Sequence, residues 1–267
     1  MNLKIMTVDL EPDLRSAQCQ SMEIVVPKLL DFFDSHKIKA TFFTVTSLLE
    51  KYESEIKEIA KKHEISSHSH THPRLNNRNA ELNNRNAEFE IKTSKEKLKE
   101  YGINCLGFRA PRAIITQNHF QLLKKYNYQY DSSLATFFPG RYCHLNLPKR
   151  PFMNAGLLEF PIPNFVYPSI NSGLSYLKLF HPISKLFPQQ YLFYLHPWEF
   201  MEKKELPPAN KSFVKMFLRR NSGKKAWKIF EEFVDKGDTR REDNDKECDK
   251  KECKWVGCKE WMKRNRF

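Results

Sequence analysis

The chain has 267 residues, 40% apolar and 13% aromatic, enough for one large domain with a sizeable core or two small ones. Its formal charge of +13 comes from 45 Lys and Arg against 32 Asp and Glu spread along the sequence, which favours an acidic surface or polymer as neighbour and specifies no nucleic acid. No run of about 18 apolar residues occurs, Lys4 and Asp9 break the N-terminal apolar run, and Cys19, Cys105 and Cys143 are widely scattered; a membrane span, a signal peptide and a secreted disulfide framework are not expected.

Leu3 to Asp9 reads as a buried strand ending in acid, with Glu11-Pro12-Asp13 breaking the pattern. Side chains two apart on a strand share a face, so Asp9 and Glu11 can look into one site. Pro27 suits the first turn of a helix that carries Leu29, Leu30 and Phe33 on one side and ends near Ser35 and His36. Lys39 to Val45 is a second strand, and Leu48 to Lys62 a second helix with Leu49, Tyr52, Ile56 and Ile59 at helical spacing. This alternation predicts βαβ units around a parallel sheet or barrel.

The next segment, Glu64 to Pro73, sets His68, His70 and His72 behind a short strand. Imidazoles four residues apart converge on one ion if the backbone turns, which makes this stretch the candidate metal site. Leu75 to Glu81 is then repeated as Leu82 to Glu88, a local duplication leading into a helix from about Ala87 to Tyr101. Leu106 to Pro111 is a strand ending in Arg109, Thr116 to Tyr126 a helix, and Tyr128 to Ser133 a strand ending in Asp131. Chemistry in barrels gathers at the carboxyl ends of strands, where Asp9, His68, Arg109 and Asp131 all fall.

Residues 136 to 190 are less regular. Leu158 to Ile162 is strand-like, and Leu174 to Phe187 is apolar and basic, suiting either a core-covering helix or contact with a membrane surface. Tyr191 to Leu195 is an apolar strand delivering His196-Pro197-Trp198-Glu199, and Lys225 to Val234 is a helix burying Trp227, Phe230 and Phe233. Nineteen of the last 32 residues are charged, so 236–267 is expected to be a mobile tail appended to a domain spanning 1–235. The spacing of Cys248, Cys253 and Cys258 supplies too few ligands for a structural zinc site.

Five separated pieces line up in order with one family. Thr7-Val8-Asp9-Leu10-Glu11, His68 to Pro73, Arg109-Ala110-Pro111, Asp131-Ser132-Ser133 and Leu195-His196-Pro197-Trp198 resemble the motifs of the NodB-homology polysaccharide deacetylases, carbohydrate esterase family four. The likeness runs over about residues 3 to 200. It implies a distorted (β/α) barrel with a parallel strand core. The implied reaction is metal-dependent hydrolysis of the N-acetyl group of N-acetylhexosamine units in a polysaccharide or lipid-linked glycan, releasing acetate. Asp-x-Glu in the first piece and His-Pro-Trp-Glu in the last resemble the subgroup associated with exopolysaccharide biosynthesis.

Carried over residue by residue, the resemblance implies one divalent metal, generally zinc, held by His68, His72 and a carboxylate of the first piece. Asp9 would be the base aligned by Arg109, and His196 the acid, supported by Asp131; Trp198, Leu195 and Pro111 would contact substrate. Where better-known members place a second aspartate this chain has Leu10, which leaves Glu11 or Asp13 as third ligand. Alternatives are a cyclic-amide hydrolase of the allantoinase type and a non-catalytic glycan- or nucleic-acid-binding protein on the same barrel. The expected location is the cytoplasm, with a peripheral membrane contact left open.

Overall fold

The structure, a computed structural model, describes residues 3–16, 19–75, 80–135, 147–166, 170–207, 213–236 and 255–267. Its central strand is β1 (Lys4–Leu10), where alternation decides what each side chain does: Ile5, Thr7 and Asp9 face the barrel interior, while Met6, Val8 and Leu10 pack outward under the helices. In chain order follow α1 (Ser21–Ile24), α2 (Val26–Ser35), β2 (Ala40–Thr44), α3 (Glu53–Lys62), β3 (Glu64–Ser67) and α4 (Ala80–Glu100). Then come β4 (Gly107–Phe108), α5 (Gln117–Lys125), β5 (Tyr130–Asp131), β6 (Phe152–Asn154), β7 (Leu157–Glu159), α6 (Leu174–Phe180) and β8 (Leu192–Leu195). The chain finishes with α7 (Phe213–Leu218), α8 (Lys224–Asp235), β9 (Trp255–Val256) and α9 (Cys258–Asn265).

The strands lie in the order β6-β7-β5-β4-β3-β2-β1-β8, parallel except for the β6–β7 hairpin. Single bridges at Ala135–Ile162, Asn164–Asn171 and Gly173–Tyr194 carry the chain from β7 across to β8, and the sheet curls into the distorted barrel that the family resemblance implies. The strand ends are level. Leu10 pairs with Thr44, Thr44 with Ser67, Ser67 with Phe108 and Phe108 with Asp131, while Val8 pairs with Leu195. The residues just past these ends therefore share one rim of the barrel, and His196 stands beside Asp9.

Three elements differ from expectation for local reasons. The helix expected from Leu48 starts at Glu53, because Thr46 to Leu48 form a 3-10 turn whose Thr46 and Ser47 N–H groups bond the carbonyls of Ser69 and His70. The helix expected from Ala87 starts at Ala80. A seven-residue repeat is about two helical turns, so a second copy extends the helix without rotating its buried face, which carries Ala87, Glu90 and Ile91. The segment Leu174 to Phe187 breaks after Phe180: α6 covers the core with Leu174 and Leu177, and a separate 3-10 turn, Ile183–Leu186, leaves Ile183 and Leu186 exposed.

Of the segment 236–267, expected as a mobile tail, residues 237–254 lie outside the described residues, and residues 255–267 are packed on the barrel. Trp255 and Val256 pair with Lys4 and Ile5, and α9 plugs the lower mouth of the barrel with Cys258 and Met262 among the interior residues Phe43, Tyr130 and Phe160. Thr41 Oγ1 accepts the Cys258 N–H and Glu64 Oε2 the Lys259 N–H, both at 2.8 Å, which satisfies donors a helix start leaves unpaired. Charge count misled here because the apolar residues Trp255, Val256, Trp261 and Met262 are few but well placed. Cys143, Cys248 and Cys253 lie outside the described residues.

Two buried histidines make the fold acid-sensitive. His63 Nδ1 accepts the Ala40 N–H and His119 Nδ1 the Thr116 N–H, and burial lowers both imidazoles to about 4. Folding thus excludes protons the unfolded chain binds below about 6.5, and stability falls as pH drops from that value through 4. The denaturant midpoint is expected to decline across that window, and less steeply in the His63→Gln and His119→Gln double variant.

Candidate active site

The rim of strand ends encloses a cleft of about 750 Å³, within the range of small-molecule sites. Asp9, Glu11, His68, His72, Arg109, His196 and Trp198 all line it, so seven of the expected residues meet in one place. Glu11 continues the inward face of β1 beyond its end. Leu10, by contrast, is fully buried in the outer core, so alternation removes it from the site. Asp13 turns away and bonds the Ser21 N–H and hydroxyl, which leaves Glu11 as the carboxylate facing the histidines.

The loop from His68 to His72 brings its two imidazoles together by turning through left-handed backbone at Ser69 and His72, with φ of 70° and 61°. Buried Glu90 of α4 holds that turn: its carboxylate accepts the N–H groups of His70 and Thr71 and the Thr71 hydroxyl, at 2.7, 2.7 and 2.6 Å. His70 points elsewhere and bonds Thr46 Oγ1. His68 Nδ1–H donates to the Arg109 carbonyl at 2.7 Å, so its Nε2 lone pair faces the cleft. Burial lowers His68 to about 4, keeping it neutral.

Ligand atoms of Glu11, His68 and His72 lie within 4.8 Å of one another. His72 Nε2 is buried 2.6 Å from Glu11 Oε2, yet makes no hydrogen bond of acceptable geometry. Two imidazoles and one carboxylate aimed at a shared space, with the cleft open on the remaining side, fit a divalent ion of the zinc type. Trp198 Nε1–H steadies the other oxygen of Glu11 at 3.2 Å. Burial opposes the charged form of Glu11, but His72, His196 and His68 outweigh it and hold the carboxyl well below its ordinary range.

Arg109 is 1% exposed and lies over the Phe43 ring. It donates to Asp9 Oδ1 at 2.7 Å, to Thr7 Oγ1, and to the carbonyl and hydroxyl of Ser132. Burial raises the cost of ionising Asp9, but Arg109, His68 and His196 overcome it and keep Asp9 below its usual value. His196 Nε2 stands 3.8 Å from Asp9 Oδ2 and 3.7 Å from Glu11 Oε1, with its ring stacked on Trp198. Burial disfavours its imidazolium, but Glu11, Glu199 and Asp9 raise it to about 9.

Three assignments need correction. Asp131 does not support His196. It accepts the Ser133 N–H and hydroxyl and forms a buried carboxyl pair with Glu159, burial raising both, while Ser133 Oγ accepts the Ala110 N–H and braces the Arg109 strand end. The carboxylate beside His196 Nδ1 is Glu199 Oε2, at 3.3 Å. Glu199 is itself buried against the Ser175 hydroxyl and the Lys178 ammonium. Leu195 is fully buried in the outer core and Pro111 is buried, and the half-buried Ala113 and Ile114 line the cleft wall in their place.

Glu90 and Lys178 escaped the sequence reading, because an acid or a lysine on a helix carries no sign of facing inward. Glu199 was visible within His-Pro-Trp-Glu, three residues after the histidine it bonds. Replacing Glu90 with Ala is expected to weaken zinc affinity about 10- to 100-fold while the fold survives, and replacing His72 with Ala to abolish it; metal titration with an optical indicator measures both.

Residues 6–130 match the family described as polysaccharide deacetylase. A solved structure of a candidate polysaccharide deacetylase from Mycobacterium smegmatis is 17% identical, with 98% of this chain and 91% of that one aligned at a TM-score of 0.58. The peptidoglycan deacetylase PdaC from Bacillus subtilis is 13% identical over 98% of this chain and 93% of that one, at 0.51. Likeness at these identities speaks to the fold. No curated protein sequence matches the chain. Over residues 6–130, a little under half of its length, the chain is similar to the polysaccharide deacetylase family, a family of hydrolases, and its barrel and rim of motifs have the form that this likeness implies.

Proposed function

We propose that the chain is a metal-dependent N-deacetylase that removes acetyl groups from N-acetylhexosamine units of a polysaccharide or lipid-linked glycan. The observation that carries this reading is the arrangement around Glu11, His68 and His72: an ionised Asp9 held by Arg109 on one side, and a proton-bearing His196 facing it. The form of the first and last motifs supports a role in exopolysaccharide biosynthesis and, with it, the cytoplasm. No helix among the described residues is long and apolar enough to cross a membrane.

When bound by Glu11, His68 and His72, a divalent ion, zinc by preference, supplies Lewis acidity that eases deprotonation of water and polarises the acetamide carbonyl. Asp9 takes the proton of the attacking water through Oδ2, the oxygen that Arg109 leaves free for the cleft. The water oxygen bonds to the acyl carbon. His196 then gives its Nε2 proton to the amide nitrogen as the carbon–nitrogen bond breaks, and acetate and the free amine leave. Glu199 at Nδ1 orients the imidazole throughout, and Trp198 stacks on its face.

Incubating the zinc-loaded protein with N-acetylglucosamine oligomers is expected to release acetate. His196→Ala should lower kcat by about 10²- to 10⁴-fold with zinc content unchanged, as loss of an acid catalyst predicts. Acetate release that survives His72→Ala, or no release by the loaded protein from any N-acetylated glycan offered, contradicts the reading.

A further inference from the structure

Beyond α6 the 3-10 turn Ile183–Leu186 projects two aliphatic side chains into solvent, Ile183 at 64% and Leu186 at 83% exposure. Three residues make one turn of such a helix, so the two side chains stand one above the other on a single face. The turn itself is anchored: Ser184 donates to the Leu177 carbonyl, Phe187 is buried, and the Lys236 ammonium bonds the carbonyls of Lys185 and Phe187. Exposure of Ile183 and Leu186 is thus a property of a fixed element.

The surroundings are basic. Burial disfavours the charged form of His181, and Lys225, Lys185 and Lys228 lie close enough to add to that, with Glu232 as the opposing charge. Lys225 and Lys228 are exposed on α8, and Lys185 stands 3.1 Å from Glu232. Between the turn and α8 runs a groove of about 130 Å³ with Leu177, Ile229 and Phe233 buried along it.

We propose that this face docks on an anionic lipid bilayer, Ile183 and Leu186 entering the headgroup boundary while the lysines meet the acidic headgroups. Paired protruding aliphatics with lysines on the turn and on the neighbouring helix complement such a surface on both counts: apolar area is removed from water, and the lysines gain from the negative surface potential. The chain's charge of +13 acts in the same sense at longer range. α6 begins at the cleft, where Ser175 and Tyr176 are wall residues, and ends three residues before the turn. Docking here holds the cleft roughly one short helix from the lipid, about 10 Å. The inference stands on this surface alone and does not depend on the hydrolase reading.

Co-sedimentation of the full chain with vesicles of phosphatidylcholine alone, or with phosphatidylglycerol added, tests it. Binding is expected to the anionic vesicles only, falling with added salt. Ile183→Ser with Leu186→Ser, and separately Lys225→Glu with Lys228→Glu, should each lower the partition constant about tenfold or more. Met153→Ser, an exposed residue on the β6 hairpin, should change nothing. Thermal midpoints confirm that each variant is folded. No binding to anionic vesicles, or binding that either double variant leaves unchanged, overturns the proposal.

Discussion

The buried guanidinium of Arg109 is the interaction on which the site depends. It crosses from the end of β4 to Asp9 and Thr7 of β1 and to Ser132 beyond β5, so one side chain ties three strand ends together inside the barrel. Its backbone carbonyl fixes the tautomer of His68 as well. A lone buried cation is costly, and so is a lone buried carboxylate; together they satisfy one another, and breaking such a pair typically costs about 3–5 kcal/mol. The same contact keeps Asp9 ionised where burial alone would favour its neutral form.

Around that pair the barrel sorts side chains by strand alternation and level ends. Asp9 and Glu11 share a face of β1, one held by Arg109 and the other turned to His68 and His72. Carboxylates this near in sequence are kept apart in role by their partners. A second polar system lies at the opposite end of the barrel. There Glu64 accepts from Thr41, Tyr130 and the first turn of α9, so the C-terminal helix closes the barrel interior at the end away from the cleft.

Much of this was legible in the sequence because it follows from short-range rules. β1, α2, β2, β3 and α5 announce themselves by apolar period and punctuation, and five motifs at strand ends pointed to one rim. What stayed hidden depends on distant segments meeting. The family resemblance implies Asp131 as the partner of His196, but its neighbouring acid is Glu159 and its donor Ser133, two residues on. Glu90 and Lys178 gain their roles only from burial against a loop and a turn far away in sequence. Trp255 to Met262 fall in a stretch whose composition reads as a charged tail, since a few apolar residues amid many charges do not alter composition, yet Cys258 and Met262 fill the barrel mouth.

The central claim is that Glu11, His68 and His72 converge on one cation. Its most direct measurement is a crystal structure of the zinc-loaded protein with data collected at the zinc absorption edge. The account predicts a single anomalous peak at about 2.0–2.2 Å from His68 Nε2, His72 Nε2 and a Glu11 carboxylate oxygen. A peak at any other set of residues, or none at full zinc loading, would contradict it.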